Sequence, residues 1–312
     1  MNNLIYTVTL NPALDKEYQV PQLIIDEIMR SSNLRIDFGG KGFNVSRMLK
    51  SLDVENVALG FVGGHTGKLI MEGLKSIGIR VDLTQIVGET RTNNSIVGEM
   101  EGHYVKINEK GPAVSDEEIV SLLQKINALV QPGDFWILAG SLPNNVPADI
   151  YARIIHQVNQ ADAYAVLDTS GDPLRLGIQE NPFLIKPNIY ELGFLLGKEI
   201  GNSRRLPEFV SELHDQGVPN ILISLGEDGA FLSASKQHWY GRAPEIEVQN
   251  PIGAGDAMVA GLIWRLIKGD TIGAALPWSI ACGTAAANQP GTGMPSLGQV
   301  KFFKQQVMIE ER

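Results

Sequence analysis

Strand-like and helical patterns alternate along this 312-residue chain, which predicts an α/β fold with a mostly parallel sheet covered by helices on both faces. The strand candidates are short, rich in β-branched or aromatic residues, and bounded by Gly, Pro or Asn. Two pairs of short alternating segments break the rhythm and predict a small sheet projecting from the main layer.

In chain order, the first strand is expected at residues 4–10, after Met1-Asn2-Asn3. No basic leader precedes this run, so it reads as a strand and not as a signal peptide. Segments 16–20 and 34–38 form the first projecting pair, followed by a helix at 44–52, a strand at 57–62 and a helix at 68–77. The second pair is 94–100 with 103–107, turning at Glu101-Gly102. Strands at 135–139 and 163–168 alternate with helices at 116–130 and 148–159. A strand at 183–186, helices at 192–196 and 206–216, and a strand at 221–225 follow. The last third is expected to be mainly helical, at 257–267, 272–288 and 297–307. No Pro/Gly/Ser linker and no internal repeat divides the chain, so residues 1–312 are expected to form one domain.

Hydrophobic residues make up 44% and charged residues 20%, a balance that supports a sizeable core. The net charge of −9 argues against nucleic acid as a partner, though not against a small anion held in a locally positive cleft. Cys282 is the single cysteine, which excludes an internal disulfide and fits a reducing compartment. Its small neighbours Ala281 and Gly283 suggest a buried structural thiol. No window approaches the ~20 apolar residues needed to span a bilayer. The expected location is the cytoplasm, with no membrane partner.

Ligands of an open parallel sheet bind beyond the carboxyl ends of the strands, and there the informative residues fall. Asn250-Pro251-Ile252-Gly253-Ala254-Gly255-Asp256 precedes an apolar helix. Its glycines let backbone N–H groups converge at a helix N-terminus, a setting for anionic oxygen. Asp256 there is either a base for a substrate hydroxyl or a helix N-terminal acid. Gly39-Gly40-Lys41-Gly42-Phe43-Asn44 also leads into a helix: either its glycines admit a substrate with Lys41 and Asn44 as polar contacts, or Asn44 caps the helix. The spacing is not that of a P-loop. Asp15, behind the first strand, suits several sugar hydroxyls or a turn. Arg91 suits a phosphate or the surface. Asn188 and Glu191 share a helical face, either to hold Mg²⁺ through water or to form a capping box. Ser224-Leu225-Gly226 is a further strand-end turn suited to a nucleotide.

The Gly39–Asn44, Lys186-Pro187-Asn188-Ile189-Tyr190-Glu191 and Gly253–Asp256 segments, in this order, resemble those of the ribokinase-like (PfkB-type) carbohydrate kinases. The similarity runs over nearly the whole length. Thr7-Val8-Thr9-Leu10-Asn11-Pro12-Ala13-Leu14-Asp15 is similar to the branch acting on phosphorylated ketohexoses, the 1-phosphofructokinases and tagatose-6-phosphate kinases. The resemblance implies a three-layer α/β/α ribokinase-like fold with a β-sheet lid, formed by roughly 16–38 and 92–108, that helps to build a homodimer. It implies Asp256 as catalytic base and Gly253, Ala254 and Gly255 as the anion hole. Asp15, Gly39, Gly40, Lys41 and Asn44 would grip the sugar, Arg91 with Lys41 its phosphate, and Ser141 would lie on a substrate-side loop. Lys186, Asn188 and Glu191 would serve ATP and Mg²⁺, with Ser224, Gly226, Asn288 and Gly291 around the nucleotide and a monovalent cation such as K⁺ as a further cofactor. The implied reaction converts fructose 1-phosphate to fructose 1,6-bisphosphate, or tagatose 6-phosphate to tagatose 1,6-bisphosphate.

Two positions depart from that branch. Ser95 stands where a second lid cation is common, and Lys106 where an acid is common. A dinucleotide-dependent oxidoreductase is disfavoured because Asn11-Pro12-Ala13-Leu14-Asp15, and no Gly-x-Gly-x-x-Gly, follows the first strand. A non-catalytic sugar-phosphate sensor is disfavoured by the intact Asp256 and its glycines.

Overall fold

The computed structural model describes residues 3–100, 103–201, 205–235 and 237–311. The expected turn at Glu101-Gly102 lies outside the described residues. The chain opens with β1 (Ile5–Thr9), β2 (Ala13–Val20), β3 (Asn33–Gly39), α1 (Lys41–Ser51), β4 (Val57–Gly63) and α2 (Gly64–Ser76). Next come β5 (Arg80–Val81), β6 (Thr84–Ile86), β7 (Arg91–Gly98), β8 (Tyr104–Asn108), α3 (Asp116–Leu129), β9 (Phe135–Ala139) and α4 (Ile150–Gln160). The middle holds β10 (Tyr164–Asp168), α5 (Gly171–Gly177), β11 (Leu184–Ile185), α6 (Ile189–Leu196), α7 (Leu206–Asp215) and β12 (Asn220–Ser224). The last elements are β13 (Ala230–Ala234), β14 (Gln237–Arg242), α8 (Ala254–Ile267), α9 (Ile272–Ala287), α10 (Leu297–Lys304) and β15 (Met308–Glu311).

The central sheet runs β15-β14-β13-β12-β11-β10-β9-β1-β4-β5, with β6 also on β4. From β12 to β5 the pairings are parallel. Strands β1, β4 and β9 are buried at every residue, as expected for a sheet covered on both faces. Alternate side chains feed two cores. Tyr6, Val8 and Trp136 pack with α3, α4 and α7, whereas Ile5 and Ile137 pack with α1, α8 and α9. Tyr6 and Trp136 stack at 4.2 Å across β1 and β9.

The three helices expected in the last third are present as α8, α9 and α10, but three strands were not expected there: β13, β14 and β15 add antiparallel pairings to the sheet edge. Polar residues blur their strand pattern, and the fold satisfies them locally. Buried Ser233 of β13 hydrogen-bonds His214 at 2.6 Å and His238 at 3.0 Å. The helix over 297–307 correspondingly ends at Lys304 and gives way to β15.

The projecting segments form a separate four-stranded sheet in the order β3-β2-β7-β8. Its register is antiparallel for β2–β3 and β7–β8 and parallel for β2–β7. It packs through Leu14 and Phe38 on α2, where a side chain at Gly73 would overlap the Phe38 ring. No helix among the described residues is long and apolar enough to cross a membrane.

Candidate active site

α8 starts at Ala254, with Gly253 as N-cap at φ 85° and no capping side chain. A left-handed residue is needed there, which favours glycine. Ala254 N–H donates to Pro251 O at 3.3 Å, which leaves the N–H groups of Gly255 and Asp256 in that first turn open to a ligand. α1 likewise begins three residues before the expected start, because Gly40 turns the chain at φ 122°. Asn44 therefore lies within α1 and does not cap it. Its Nδ2 donates to Asp256 Oδ2 at 2.8 Å. Asp256 is 5% exposed. Burial, and then the charge of Asp168, push its carboxyl up to about 6, against Lys41, the Asn44 hydrogen bond and Lys186.

Asp168 ends β10, fully buried, and joins the two lysines. Lys41 Nζ donates to Oδ1 at 2.9 Å, and Lys186 Nζ lies 3.3 Å from Oδ2. Burial alone would raise the Asp168 carboxyl, but Lys186 and Lys41 outweigh it and hold it below the ordinary carboxylate range. Lys186 is 4% exposed, and its Nζ stands 3.2 Å from where a Gly255 side chain would begin. Two ammonium groups thus border the N-terminus of α8 and act on Asp256.

On the lid side, Asn93 Nδ2 donates to Asp15 Oδ1 at 2.8 Å. Burial raises the Asp15 carboxyl, while Asn93, Lys106 and Arg91 oppose the shift. Gly39 serves this carboxylate directly, since a Cβ there would lie 1.8 Å from Asp15 Oδ2. Gly39→Ala is therefore expected to turn the Asp15 carboxylate away from Asn93 and to raise about tenfold or more the KM of any substrate it orients, the scale of one charged hydrogen bond. Steady-state kinetics with kcat near wild type would check it. Arg91 donates to the carbonyls of Glu109 and Asn11 at 2.8 and 2.9 Å, so its guanidinium is fixed at the lid's root. Ser141 receives Asn11 Nδ2 at 3.3 Å. Ser95 pairs with Lys106 across β7 and β8, and the next row on the same face pairs Asn93 with Asp15. Lys106 thus stands one strand over from Ser95, on the face that carries Asp15.

Beyond α8 lies a cavity of about 1430 Å³, bordered by Asn188, Ser224, Gly226 and Gly255 and by apolar Val248, Met258 and Ile280. Asn188 and Glu191 form a capping box, each accepting from the other's backbone N–H at 2.9 Å. Glu191 keeps its second oxygen outside the box, and its charge reaches Lys41. Among the described residues no three His, Cys, Asp or Glu side chains converge on a metal position. One carboxylate oxygen near a phosphate cleft fits Mg²⁺, which keeps water and takes most ligands from phosphate. Asn288 turns its amide to Glu247 O at 3.0 Å. Gly291 packs against the Arg35 guanidinium, outside the cavity lining.

Asp168, Arg47 and Asp37 were not singled out by sequence reasoning. Asp168 carried a usable signal, as the last residue of an apolar strand. Arg47 and Asp37 carried none: they meet only when the lid strand lies beside α1.

A buried carboxylate at a glycine-flanked helix N-terminus, with buried Lys186 and half-buried Lys41 beside it, is an arrangement suited to phosphoryl transfer to a hydroxyl. The family model described as "pfkB family carbohydrate kinase" matches residues 9–297, and the chain belongs to that family. It is 36% identical to a 1-phosphofructokinase of Bacillus subtilis (strain 168) over 284 residues, 91% of this chain and 92% of the relative. It is 34% identical to a tagatose-6-phosphate kinase of Staphylococcus epidermidis over 311 residues, 98% of this chain and 100% of the relative. Its fold matches phosphofructokinase-2 from Escherichia coli in complex with potassium, with TM-score 0.93, 25% identity, and 98% and 99% of the two chains covered.

Proposed function

We propose that the protein transfers the γ-phosphoryl group of ATP to the free primary hydroxyl of fructose 1-phosphate, giving fructose 1,6-bisphosphate and ADP. The observation that carries this reading is the buried Asp256 carboxylate, raised to about 6 and held by Asn44 at the N-terminus of α8. Asp256 accepts the hydroxyl proton as the oxygen–phosphorus bond forms and the β–γ bridging bond breaks. N–H groups of Gly253, Gly255 and Asp256 stabilise charge on the phosphoryl oxygens, with Lys186 and Lys41 adding positive potential. Asp15, steadied by Asn93, orients the sugar hydroxyls. Glu191 and Asn188 would hold Mg²⁺ through water, and the ion supplies charge neutralisation on the phosphates when bound. The large cavity suits the nucleotide, its apolar wall the base. The potassium of the Escherichia coli relative supports a monovalent-cation requirement here.

The substrate's own phosphate is read at Arg91 and Lys106 on the lid. Lys106 replaces from β8 the cation that Ser95 does not supply from β7. Lys106→Ala is expected to raise KM for the sugar phosphate about tenfold with kcat little changed, and Ser95→Lys in that background to restore part of it. A tagatose 6-phosphate substrate is the second reading, favoured by the relative that matches over its full length. We also read the protein as cytoplasmic and as a homodimer through the lid. Val105 and Ile107, flanking Lys106, and Leu34 and Ile36 on β3 are exposed there, an apolar surface that a second copy would cover.

A coupled ADP-release assay across fructose 1-phosphate, tagatose 6-phosphate, fructose 6-phosphate and unphosphorylated sugars tests the proposal. Turnover restricted to a phosphorylated ketohexose supports it. Binding without turnover would instead mark a sensor.

A further inference from the structure

Arg47 lies three residues after Asn44 on α1, so the two side chains share a helix face. Its side chain is 10% exposed, and no step described above uses it. The guanidinium joins three distant parts of the chain. Nη2 donates to Asp37 Oδ1 of β3 at 3.2 Å. Nη1 lies 3.2 Å from Thr292 Oγ1 and 3.5 Å from Asn44 Oδ1. The second oxygen of Asp37 pairs with Arg35 Nε at 2.8 Å and receives Thr292 N at 3.5 Å. A lid strand, the substrate-side helix and the segment after α9 therefore close on one side chain. Asn44 then connects that clasp to Asp256 through its 2.8 Å hydrogen bond.

A side-chain amide has one acceptor end and one donor end. Asn44 sits between a guanidinium, which can only donate, and a carboxylate, which when ionised can only accept. A single orientation serves both: Oδ1 toward Arg47 and Nδ2 toward Asp256. Turned the other way, it would set carbonyl against carboxylate and amide hydrogens against guanidinium. Without Arg47 the amide has no such constraint on its outer end.

We propose that Arg47 is a positioning residue that fixes the Asn44 amide as donor to the catalytic base and couples that orientation to the lid's contact with the Thr292 segment. The inference rests on the reading of Asp256 as base. The charged and polar groups facing Asp256 are Asp168, which raises its carboxyl, and Lys41, Asn44 and Lys186, which lower it. Loss of the Asn44 donor leaves the other three in place and moves the carboxyl further up.

The test compares Arg47→Met with Arg47→Lys. The Asp256 carboxyl is followed by ¹³C NMR titration of ligand-free protein, its signal identified by its loss in Asp256→Asn. In Arg47→Met it is expected to titrate about one pH unit higher, the equivalent of one charge-assisted hydrogen bond. The kcat should fall about tenfold, and the acidic limb of kcat/KM should move up by the same unit. Arg47→Lys keeps the charge but not the fork, and is expected to lie between the two. An unshifted Asp256 titration in folded Arg47→Met, shown folded by circular dichroism and thermal melting, would overturn the inference and leave Arg47 a structural clasp. If Arg47→Met does not fold, Arg47→Lys decides: a raised titration supports the proposal and an unshifted one overturns it. The NMR result needs no sugar, so it stays separate from the kinase reading, which fails if the wild type releases no ADP with any sugar.

Discussion

Asp256→Asn is expected to lower kcat by a factor of about 10²–10⁴ while leaving ATP affinity near wild type. The substitution keeps the shape of the side chain and the glycines before it, so on the proposed mechanism the N–H groups of the α8 first turn still meet phosphate and only the proton acceptor is removed. The wild-type carboxyl, raised to about 6, is ionised at neutral pH and takes a proton below that. The kcat/KM of the wild type should therefore fall on the acid side of pH about 6. The same shift carries a stability consequence. Unfolded, the carboxyl ionises near pH 4, so the native state holds a proton the unfolded chain has already released. Its contribution to stability is fullest below pH about 4 and is lost as pH rises through about 6. Asp256→Asn should accordingly melt at a higher temperature than wild type at pH 8, with a smaller difference at pH 5. Normal turnover in the variant would remove Asp256 as the base; an inactive variant that melts higher only at high pH would tie the buried charge to function at a cost in stability.

The parts of this site that were legible in sequence lie near strand ends or in glycine-rich turns: Lys186 follows β11 directly, where a parallel sheet places its ligands, Lys41 follows β3, and Asp256 stands behind the glycines that start α8. Asp15 lies within β2 and Asn44 within α1, and both were marked by the polar or glycine-rich run around them. Asp168 also stands at the end of a parallel strand, yet as the last residue of that strand it read as part of the strand itself. Lys106 could be named but not located, because its neighbour across the sheet depends on the β7–β8 register. Shifting that register by one residue would turn it to the opposite face. Arg47 offered no pattern at all, since two of its three partners lie ten residues before it and 245 after it. The same limit explains the missed edge strands. Ser233 and His238 look wrong for a buried sheet until His214 is seen to satisfy Ser233. Helix starts were misread where glycine sets them, as at Gly40 and Gly253, whose positive φ lets the helix begin before the apolar pattern does.

Asp168→Asn is the substitution expected to cost most in stability, about 3–5 kcal/mol, because it removes the shared anion from two lysines at once. Lys186 is nearly inaccessible to water and has no other anion within ion-pairing distance among the described residues. Lys41 is more open, 38% exposed at its side chain, and can recover hydration. The loss should therefore fall mainly on Lys186, and Lys186→Met in the Asp168→Asn background should restore part of the stability while Lys41→Met restores less. Chemical denaturation of the four proteins checks this ordering. The acidic limb moves opposite to its shift in Arg47→Met. Asp168 is the second cause that raises the Asp256 carboxyl, after burial, so its removal leaves Lys41 and Lys186 to pull Asp256 down. The acidic limb of kcat/KM should then move to lower pH, and the weaker base should lower kcat on the plateau. A limb that stays in place would show that the two carboxylates do not sense each other, and Asp168 would be left with a purely structural part in the site.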